Sequence, residues 1–314
     1  MSTFDLNQKI YIAGHRGMVG STIWQELEQR GAKQLIGQTL DQLDLRDQKA
    51  VDNFFAQTQP SYVVLAAAKV GGIHANISAP YDFLYDNLVI QNNIFASALK
   101  HGVKKMLFLG TSCIYPRDCP QPMKEEYLLT GPLEPTNEGY ALAKIAGLKM
   151  AEYLYKQHGF QTVCPMPPNL YGPNDNFDPK NSHVMAALVR KFVTAKDSGQ
   201  NVETMWGTGS AKREFMHVRD LARIIVELFM THETPEVINV GTGIDHSIKE
   251  LAEIVAKLVG YTGPITWDPT KPDGMPRKCL DVSKMHALGI TTTISLEDGL
   301  RQMIAAYRKK VAAA

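Results

Sequence analysis

The sequence predicts an α/β fold: a parallel sheet with helices on both faces and a smaller α/β lobe beside it. Two observations lead to this prediction. Short apolar runs alternate with helical stretches along the first half of the chain, and this alternation is typical of a doubly wound parallel sheet. The first run, residues 9–13, leads into a glycine-rich turn at residues 14–20, and an amphipathic helix pattern follows through Leu27. We expect the ligand to lie beyond the carboxyl ends of the strands.

The other strands of this predicted Rossmann sheet are also short apolar runs. They lie at residues 34–37, 62–68, 105–110, 160–165 and 236–240. Turn-rich segments at residues 172–179 and 268–276 break the alternation. Residues 1–170 are therefore predicted to form the dinucleotide-binding domain, to which the chain returns near residues 215–245. Residues 171–314 would form mainly the smaller, substrate-binding lobe.

Composition argues against several classes of protein. The 314 residues include 33 basic and 32 acidic side chains, and this balance argues against a general nucleic-acid or anionic-membrane surface. Four cysteines without paired spacing indicate a reducing compartment. The amino terminus lacks the apolar region of a signal peptide, and the apolar runs fall short of the roughly 20 residues that span a bilayer. We expect a cytoplasmic protein that binds no metal.

A dinucleotide site is predicted at the turn Gly14-His15-Arg16-Gly17-Met18-Val19-Gly20. Its three glycines would let the backbone approach a pyrophosphate, and the amino terminus of the following helix favours negative charge. The alternative is an ordinary tight turn. Ala66 and Ala67, near the end of the third run, would leave room for the cofactor or would simply pack.

The choice between NAD and NADP stays open in the sequence. An acidic residue after the second strand would hold a ribose 2′-hydroxyl, whereas an arginine would accommodate a 2′-phosphate. Residues 38–40 offer neither, but Arg16 could meet a 2′-phosphate, which favours NADP. Asp44 and Leu45 would contact the adenine end, unless Asp44 only caps a helix that begins at Arg46.

A tyrosine and a lysine are predicted to act as a proton-transfer pair. Tyr140 and Lys144 are four residues apart, so they share one face of a helix that Thr136 or Asn137 would cap. The ammonium can then lower the phenol pKa from its usual value near 10. Upstream, Thr111 or Ser112 would hydrogen-bond the substrate oxygen.

Cys113 points to a second chemistry, because reduction of a ketone does not require a thiol. A thiolate at this position could remove a proton next to a ketone. The alternative is a small buried hydrophobic residue, the usual fate of a free cysteine. His183, in the segment Asn181-Ser182-His183, is a candidate partner acid because its pKa suits proton exchange near neutrality. Taken alone, it would be a structural or surface histidine.

Basic and aromatic segments of the second half are candidates for gripping a nucleotide diphosphate. They lie at residues 190–191, 206–209 and 212–215. Arginine forks bind phosphate oxygens, and an aromatic ring can pack on a sugar or base. The proline-rich loop at residues 273–278 would close over the ligand or serve as an ordinary connection.

Together these residues resemble the extended short-chain dehydrogenase/reductase family over nearly the whole chain. The motifs that resemble one branch of that family lie at residues 14–20, 68–73, 112–116, 169–173, 181–184, 213–215 and 271–274. The resemblance implies a homodimeric, bifunctional 3,5-epimerase and 4-reductase. Its implied substrate is the GDP-linked 4-keto-6-deoxy sugar GDP-4-dehydro-6-deoxy-D-mannose, its cofactor NADPH and its product GDP-L-fucose.

The same resemblance implies catalytic roles. Thr111 stands where the family usually has the serine of its catalytic triad, and it keeps the hydroxyl. Tyr140 and Lys144 complete the triad. Cys113 and His183 match the base and the acid of epimerisation.

Cofactor and substrate positions are implied in the same way. The cofactor positions are Gly14, His15, Arg16, Gly17, Met18, Val19, Gly20, Asp44, Leu45, Ala66, Ala67, Leu109, Gly110, Thr111, Ser112, Tyr140, Lys144, Pro167, Pro168, Asn169, Leu170 and His183. The substrate positions are Lys191, Trp206, Arg213 and Asp273. Lys191 replaces an arginine of some relatives, which keeps the charge and loses the fork. Residues 38–40 lack the arginines that some relatives place near the 2′-phosphate.

Two other interpretations stay open. A related enzyme would only reduce a nucleotide sugar at C4, or only epimerise it there with tightly held NAD, without using Cys113 as a base. A non-catalytic dinucleotide sensor of the same fold is the third possibility. The joint presence of Tyr140, Lys144, Cys113 and His183 argues against a sensor.

Overall fold

The computed structural model describes residues 4–179, 182–271 and 273–312. Asn181 and Pro272, which belong to two of the motifs above, lie outside the described residues. The strands are β1 (Lys9–Ala13), β2 (Gln34–Ile36), β3 (Tyr62–Leu65), β4 (Lys105–Phe108), β5 (Gln161–Met166), β6 (Asn169–Tyr171), β7 (Met205–Trp206), β8 (Lys212–His217), β9 (Val237–Asn239), β10 (Asp245–Ser247), β11 (Trp267–Asp268) and β12 (Arg277–Lys278). The α-helices are α1 (Met18–Gln29), α2 (Gln48–Thr58), α3 (Ile73–Ser78), α4 (Pro80–Lys100), α5 (Glu138–His158), α6 (Val184–Ser198), α7 (Val218–Thr231), α8 (Ile248–Val259), α9 (Ser283–Ala287) and α10 (Leu296–Ala312). Short 3₁₀ helices lie at Ser112–Ile114, Glu125–Tyr127 and Pro135–Asn137.

The main sheet confirms the predicted fold class. Its six described strands run in the order β2-β1-β3-β4-β5-β9, and every neighbouring pair is parallel. Helix α4 packs between α2 and α5, while α1 packs against α7 as a separate pair. Strands β3 and β4 end at Leu65 and Phe108, whereas the apolar runs that predicted them continue to residues 68 and 110. The residues beyond the strands therefore belong to the loops at the carboxyl edge of the sheet.

Two hydrophobic clusters underlie the two parts of the molecule. The first lies around the main sheet and includes the buried strand residues of β1, β3 and β4. It also includes residues of α7 and β9, and then Leu280, Val282 and Met285 further along the chain. The second cluster joins α6, α8 and α10 beside a small sheet built on β8. The chain thus crosses between the two clusters more than once.

The small sheet holds residues of the second half close to the main sheet. Strand β8 pairs in parallel with β6 and β12 and antiparallel with β10. Strand β6 directly follows β5 of the main sheet, so β8 is anchored beside the carboxyl edge. The register sets Lys278 of β12 opposite Arg213 of β8.

A buried carboxylate ties these segments together. Glu214 of β8 is completely buried and accepts hydrogen bonds from the backbone N–H groups of Thr242 (2.6 Å), Gly243 (2.9 Å) and Leu280 (2.7 Å). The Thr242 hydroxyl donates to it as well, at 3.2 Å. Burial raises the pKa of Glu214, and these hydrogen bonds oppose that rise. The carboxylate therefore joins β8, the segment after β9 and the segment after β12.

No helix among the described residues is long and apolar enough to cross a membrane.

Replacing Glu214 with Gln should destabilise the protein by about 2 kcal/mol, because one backbone N–H would then face an amide –NH₂ in place of an acceptor. Urea unfolding at neutral pH measures the loss. Glu250→Gln is the matched control: Glu250 is exposed and accepts hydrogen bonds from Ser247 at the amino terminus of α8, which an amide oxygen can also do. Equal stabilities of the Glu214→Gln and wild-type proteins would contradict the anchoring role.

Candidate active site

The glycine turn after β1 leaves one position open to a ligand. Gly14 has φ = +84°, and a Cβ on it would lie 2.7 Å from the Ala67 nitrogen. A Cβ on Gly20 would lie 2.1 Å from the Gly14 oxygen. Gly14 is therefore required by the packing of the turn against residues 66–67, and Gly20 by the close approach of the Gly14 backbone. Gly17 differs: its φ is −69°, and among the described atoms its Cβ would meet only the Gly14 oxygen, at 3.4 Å.

The amino terminus of α1 is suited to an anion. Its N-cap is Gly17, no side chain caps it, and its first turn contains no acidic residue. The first N–H groups of a helix lack partners within the helix and carry partial positive charge. Together with the open space beside Gly17, this arrangement fits a dinucleotide pyrophosphate.

His15 fills the space between this turn and the end of β2. Its ring lies so close to Gly37 that a Cβ there would be 2.4 Å from the ring. The ring also packs against Trp24, with centroids 5.7 Å apart. Arg16, the next residue, is exposed at the surface of the turn. Gly37 is therefore needed to accommodate His15, and Arg16 is accessible to a ligand.

Asp44 does not cap a helix that begins at Arg46, and that alternative is wrong. Helix α2 begins at Gln48, and its cap is Asp47, which accepts from the Ala50 N–H. The Asp44 carboxylate instead binds the Arg46 guanidinium at 2.8 Å. The neighbouring Leu45 is buried, and its carbonyl accepts from Asn93 of α4. Residues 44–45 are thus fixed at the carboxyl edge of the sheet.

The segment after β4 is bonded to the segment after β5. Gly110 N–H donates to the Pro165 carbonyl and Ser112 N–H to the Pro167 carbonyl, each at 3.0 Å. A Cβ on Gly110 would clash with Met166, 2.1 Å away. Packing within the protein therefore accounts for this glycine. These bonds bring the predicted cofactor residues 109–112 and 167–170 next to each other.

Tyr140 and Lys144 lie in the first two turns of α5. The Lys144 ammonium is buried and donates to the Leu109 carbonyl at 2.7 Å, which fixes it to the end of β4. It lies 5.9 Å from the centroid of the Tyr140 ring and 4.8 Å from that of Phe108. The helix thus places the pair beside β4, as its spacing predicts.

The predicted lowering of the Tyr140 pKa is wrong for the protein without ligands. Burial raises the pKa of Tyr140, and charge on Cys113 raises it further. Burial also lowers the pKa of Lys144 to about 8, because it removes water from the ammonium. A phenol with a raised pKa stays protonated at neutral pH and suits the role of proton donor.

The Cys113 thiol lies among hydrogen-bond donors and one positive charge. Asn137 donates its side-chain amide to the sulfur at 3.3 Å, and the Lys278 ammonium contacts it at 3.2 Å. Burial is the largest single influence and raises the thiol pKa. The charge of Lys278 and hydrogen bonds from Thr111, Lys278 and Asn137 outweigh it, so the pKa lies below its ordinary value. Cys113 is therefore not an inert buried thiol.

Neither proposed capping residue of α5 acts as predicted. Asn137 occupies the N-cap position but makes no capping bond with its side chain, which points to Cys113 instead. Thr136 lies in the preceding 3₁₀ helix and bonds Glu134. The Thr111 hydroxyl, in turn, accepts from the Cys113 N–H at 3.2 Å and caps the short helix Ser112–Ile114. The side-chain amide oxygen of Asn137, Oδ1, is buried without a partner among the described residues.

His183 lies at the amino terminus of α6, and its side chain is exposed. Protein atoms around it still remove part of its hydration, which lowers its pKa. The preceding residue, Ser182, places its carbonyl oxygen 3.6 Å from the position of a Cβ on Gly72. This contact sets the start of α6 against the loop that follows β3. His183 thereby comes to the same edge of the main sheet as the glycine turn.

The predicted substrate residues lie on the second half of the molecule. Lys191 of α6 pairs with Glu203 at 3.2 Å. Arg213 of β8 is partly desolvated, which lowers its pKa, while Glu134 and Asp273 act in the opposite direction. Binding of a ligand phosphate by these two residues stays a prediction.

Asp273 and Trp206, two predicted substrate residues, lie at and near the turn after β7. The Asp273 carboxylate accepts from the Thr208 N–H (2.7 Å) and hydroxyl (2.8 Å), so it holds the turn after β7. Trp206 is 55% exposed, and its ring packs edge-on against His74 of α3 at 5.2 Å. This aromatic contact connects the small lobe with the loop region after β3.

The sequence does not predict three neighbours of this site. It indicates a helix cap at Asn137 and a loop at Lys278, and it carries no signal for His74. Their partners are distant in sequence: Lys278 contacts a residue 165 positions earlier. A basic residue in a proline-rich loop was the one available signal for Lys278.

Comparison with known proteins identifies the family. The model of the NAD dependent epimerase/dehydratase family matches residues 10–241. The chain belongs to this family. Its family relatives include GDP-L-fucose synthase 1 of Arabidopsis thaliana, 53% identical over 99% of this chain and 96% of that protein. GDP-L-fucose synthase of Escherichia coli is 51% identical over 93% of this chain and 94% of its own length.

A solved structure in the family carries a cofactor. A GDP-mannoheptose C4 reductase from Campylobacter jejuni with NADP bound superimposes with a TM-score of 0.89. It is 37% identical and covers 97% of this chain and 99% of its own.

Alanine at Gly17 should affect cofactor binding, whereas alanine at Gly20 should affect stability. Gly17→Ala should leave the melting temperature nearly unchanged and weaken NADPH binding at least about tenfold, because the new methyl occupies the space left for the pyrophosphate. Gly20→Ala should lower stability by about 2 kcal/mol, because its methyl collides with the Gly14 carbonyl. Calorimetric titration with NADPH and thermal unfolding measure the two effects. Unchanged NADPH affinity in Gly17→Ala would contradict the cofactor site.

Proposed function

We propose that this protein is an NADP-dependent bifunctional enzyme that converts GDP-4-dehydro-6-deoxy-D-mannose to GDP-L-fucose. The observation that carries the proposal is the Cys113 thiol held between the Lys278 ammonium (3.2 Å) and the Asn137 amide (3.3 Å), just past the end of β4, where Lys144 is also bound. Reduction at C4 accounts for Tyr140 and Lys144, and proton abstraction beside the ketone accounts for Cys113. The GDP-L-fucose synthases at 51% and 53% identity support the same substrate.

The residues of the glycine turn would hold the cofactor. The amino terminus of α1 would bind the pyrophosphate beside Gly17, and exposed Arg16 is available to a 2′-phosphate. NADP in the Campylobacter jejuni relative supports this choice over NAD. When bound, NADPH supplies the hydride that reduces C4.

Cys113 would act as the base of epimerisation. The ketone at C4 acidifies the hydrogens on C3 and C5, so a thiolate near these carbons can remove each of them in turn. His183 would return a proton to the opposite face of each carbon. Its lowered pKa makes the imidazolium a stronger acid and reduces the share of His183 that carries the proton at neutral pH.

Thr111, Tyr140 and Lys144 would serve both reactions at the C4 oxygen. Preorganised donors stabilise the negative charge that develops there during proton removal. In the reduction, Tyr140 would give its proton to the new alkoxide, which suits a phenol that burial keeps protonated. Lys144, fixed by the Leu109 carbonyl, would supply positive charge beside the phenol.

The second half of the molecule would bind the GDP portion. Lys191 and Arg213 would bind the diphosphate, Trp206 would pack on the nucleotide or sugar, and Asp273 would hold the turn after Trp206.

Residues 1–170 and 215–245 would form the cofactor domain and the remainder mainly the substrate lobe. A homodimer and a cytoplasmic location stay predictions.

A reductase that acts only at C4 is the second candidate function. The Campylobacter jejuni relative carries the name of a C4 reductase, and its similarity extends over the whole chain. Such an enzyme would use Tyr140 and Lys144 and would need no base at Cys113. The surroundings of Cys113 favour the bifunctional enzyme, since Asn137 and Lys278 both converge on its sulfur.

The first test is product analysis in heavy water. The enzyme, NADPH and GDP-4-dehydro-6-deoxy-D-mannose should yield GDP-L-fucose with solvent deuterium at C3 and C5, observed by NMR. Reduction without deuterium at either carbon would favour the C4 reductase. Binding of NADPH with no oxidation of it in the presence of the sugar nucleotide would favour a dinucleotide sensor.

Single substitutions should separate the two reactions. Cys113→Ser should lose deuterium exchange by at least about 100-fold and still reduce a ketone that is already epimerised, because removing a general base typically costs that much. Tyr140→Phe should lose reduction and retain exchange at a lower rate. Equal loss of both activities in Cys113→Ser would contradict this division of labour.

A further inference from the structure

One contact of Cys113 has no role in the steps above. The Lys278 ammonium lies 3.2 Å from the sulfur, and Lys278 belongs to strand β12. Asn137, which precedes helix α5, donates to the same sulfur at 3.3 Å. A positive charge and a polar donor thus converge on one thiol from two separate segments.

The backbone around Lys278 is held on both sides. Strand β12 pairs with β8, and Leu280 N–H donates to the buried Glu214 carboxylate at 2.7 Å. On the other side, the Cys279 carbonyl accepts from the Met123 N–H at 2.7 Å, and Asp281 N–H donates back to the Met123 carbonyl at 2.8 Å. The ammonium is therefore delivered to the thiol by a fixed segment of backbone.

We propose that Lys278 is a positioning residue that keeps Cys113 in its thiolate form, with Asn137 orienting the sulfur. The contribution of Lys278 to the reaction rests on the proposed function, in which Cys113 is the base. An unperturbed thiol is ionised by only a few per cent at neutral pH. Burial without a nearby cation would lower that fraction further. The lysine charge opposes the effect of burial and increases the share of Cys113 that is ionised.

The other groups that face Cys113 do not supply this charge. Thr111 and Asn137 contribute neutral hydrogen bonds, and Tyr140 is a phenol whose own ionisation would oppose that of the thiol. Among the described groups that act on the thiol, Lys278 alone is cationic. Removing its charge should therefore have a larger effect than removing either neutral donor.

The proton balance of the step is simple. The carbon–hydrogen bond beside the ketone breaks, its electron pair moves into the enolate, and the proton forms a new bond with the Cys113 sulfur. Lys278 keeps its proton throughout and changes the free energy of the thiolate only. The sulfur then loses its proton to solvent before the next abstraction, which is consistent with exchange of solvent deuterium.

The pH dependence of thiol alkylation tests this role without any substrate. Full-length protein is treated with iodoacetamide from pH 5 to pH 10, and modification of Cys113 is followed by mass spectrometry. The tryptic peptide 106–117 carries Cys113 as its only cysteine. Lys278→Met should move the profile upward by about one pKa unit or more, which corresponds to at least about a tenfold slower alkylation at pH 7. Lys278→Arg should retain the wild-type profile because it keeps the charge.

Lys284→Met is the matched control, since Lys284 pairs with Glu236 on the surface and should leave the profile unchanged. Thermal unfolding of each variant checks that the fold is retained. Coincident profiles for Lys278→Met and wild type would overturn the proposal. A raised KM for the sugar nucleotide with an unchanged thiol profile would overturn it too, and would assign Lys278 to substrate binding. A shifted profile in an enzyme that never exchanges deuterium would support this role of Lys278 and reject the proposed epimerisation.

Discussion

The candidate site depends on one buried carboxylate, that of Glu214. Its four hydrogen bonds connect β8 to the segments after β9 and β12, which come from distant parts of the chain. Arg213 precedes it on β8, and Lys278 lies opposite Arg213 on β12. Because unsatisfied backbone donors are costly inside a protein, these segments are fixed relative to one another. This arrangement therefore sets the positions of Arg213, a candidate for binding phosphate, and of Lys278, the cation beside Cys113.

Burial acts on Tyr140, Lys144 and Cys113 with different results. It keeps Tyr140 protonated and lowers the pKa of Lys144 to about 8. It would also keep Cys113 protonated, but the lysine charge and neutral donors outweigh it. Tyr140, a proton donor, and Cys113, a potential base, therefore differ in their neighbours rather than in their burial.

Sequence-based prediction was more successful for secondary-structure elements than for the partners of individual side chains. The alternation of strands and helices predicted the order of elements, and the spacing of Tyr140 and Lys144 predicted a shared helix face. Predictions about individual side chains were less successful. Asp44 was a plausible cap, yet Asp47 caps α2, and Asn137 turned to the Cys113 sulfur instead of capping α5. Local spacing does not decide between partners that compete for the same side chain.

The sequence by itself determined the fold class, the glycine turn and the pairing of a tyrosine with a lysine, because these features depend on residues close together in the chain. Only the tertiary structure decided the ionisation of Cys113, since its cation comes from a residue 165 positions away. It also separated glycines required by packing, at Gly14 and Gly20, from Gly17, where a Cβ would make one ordinary contact, at 3.4 Å. Charge and steric contact act through distance in space, and that distance is set by how the segments pack.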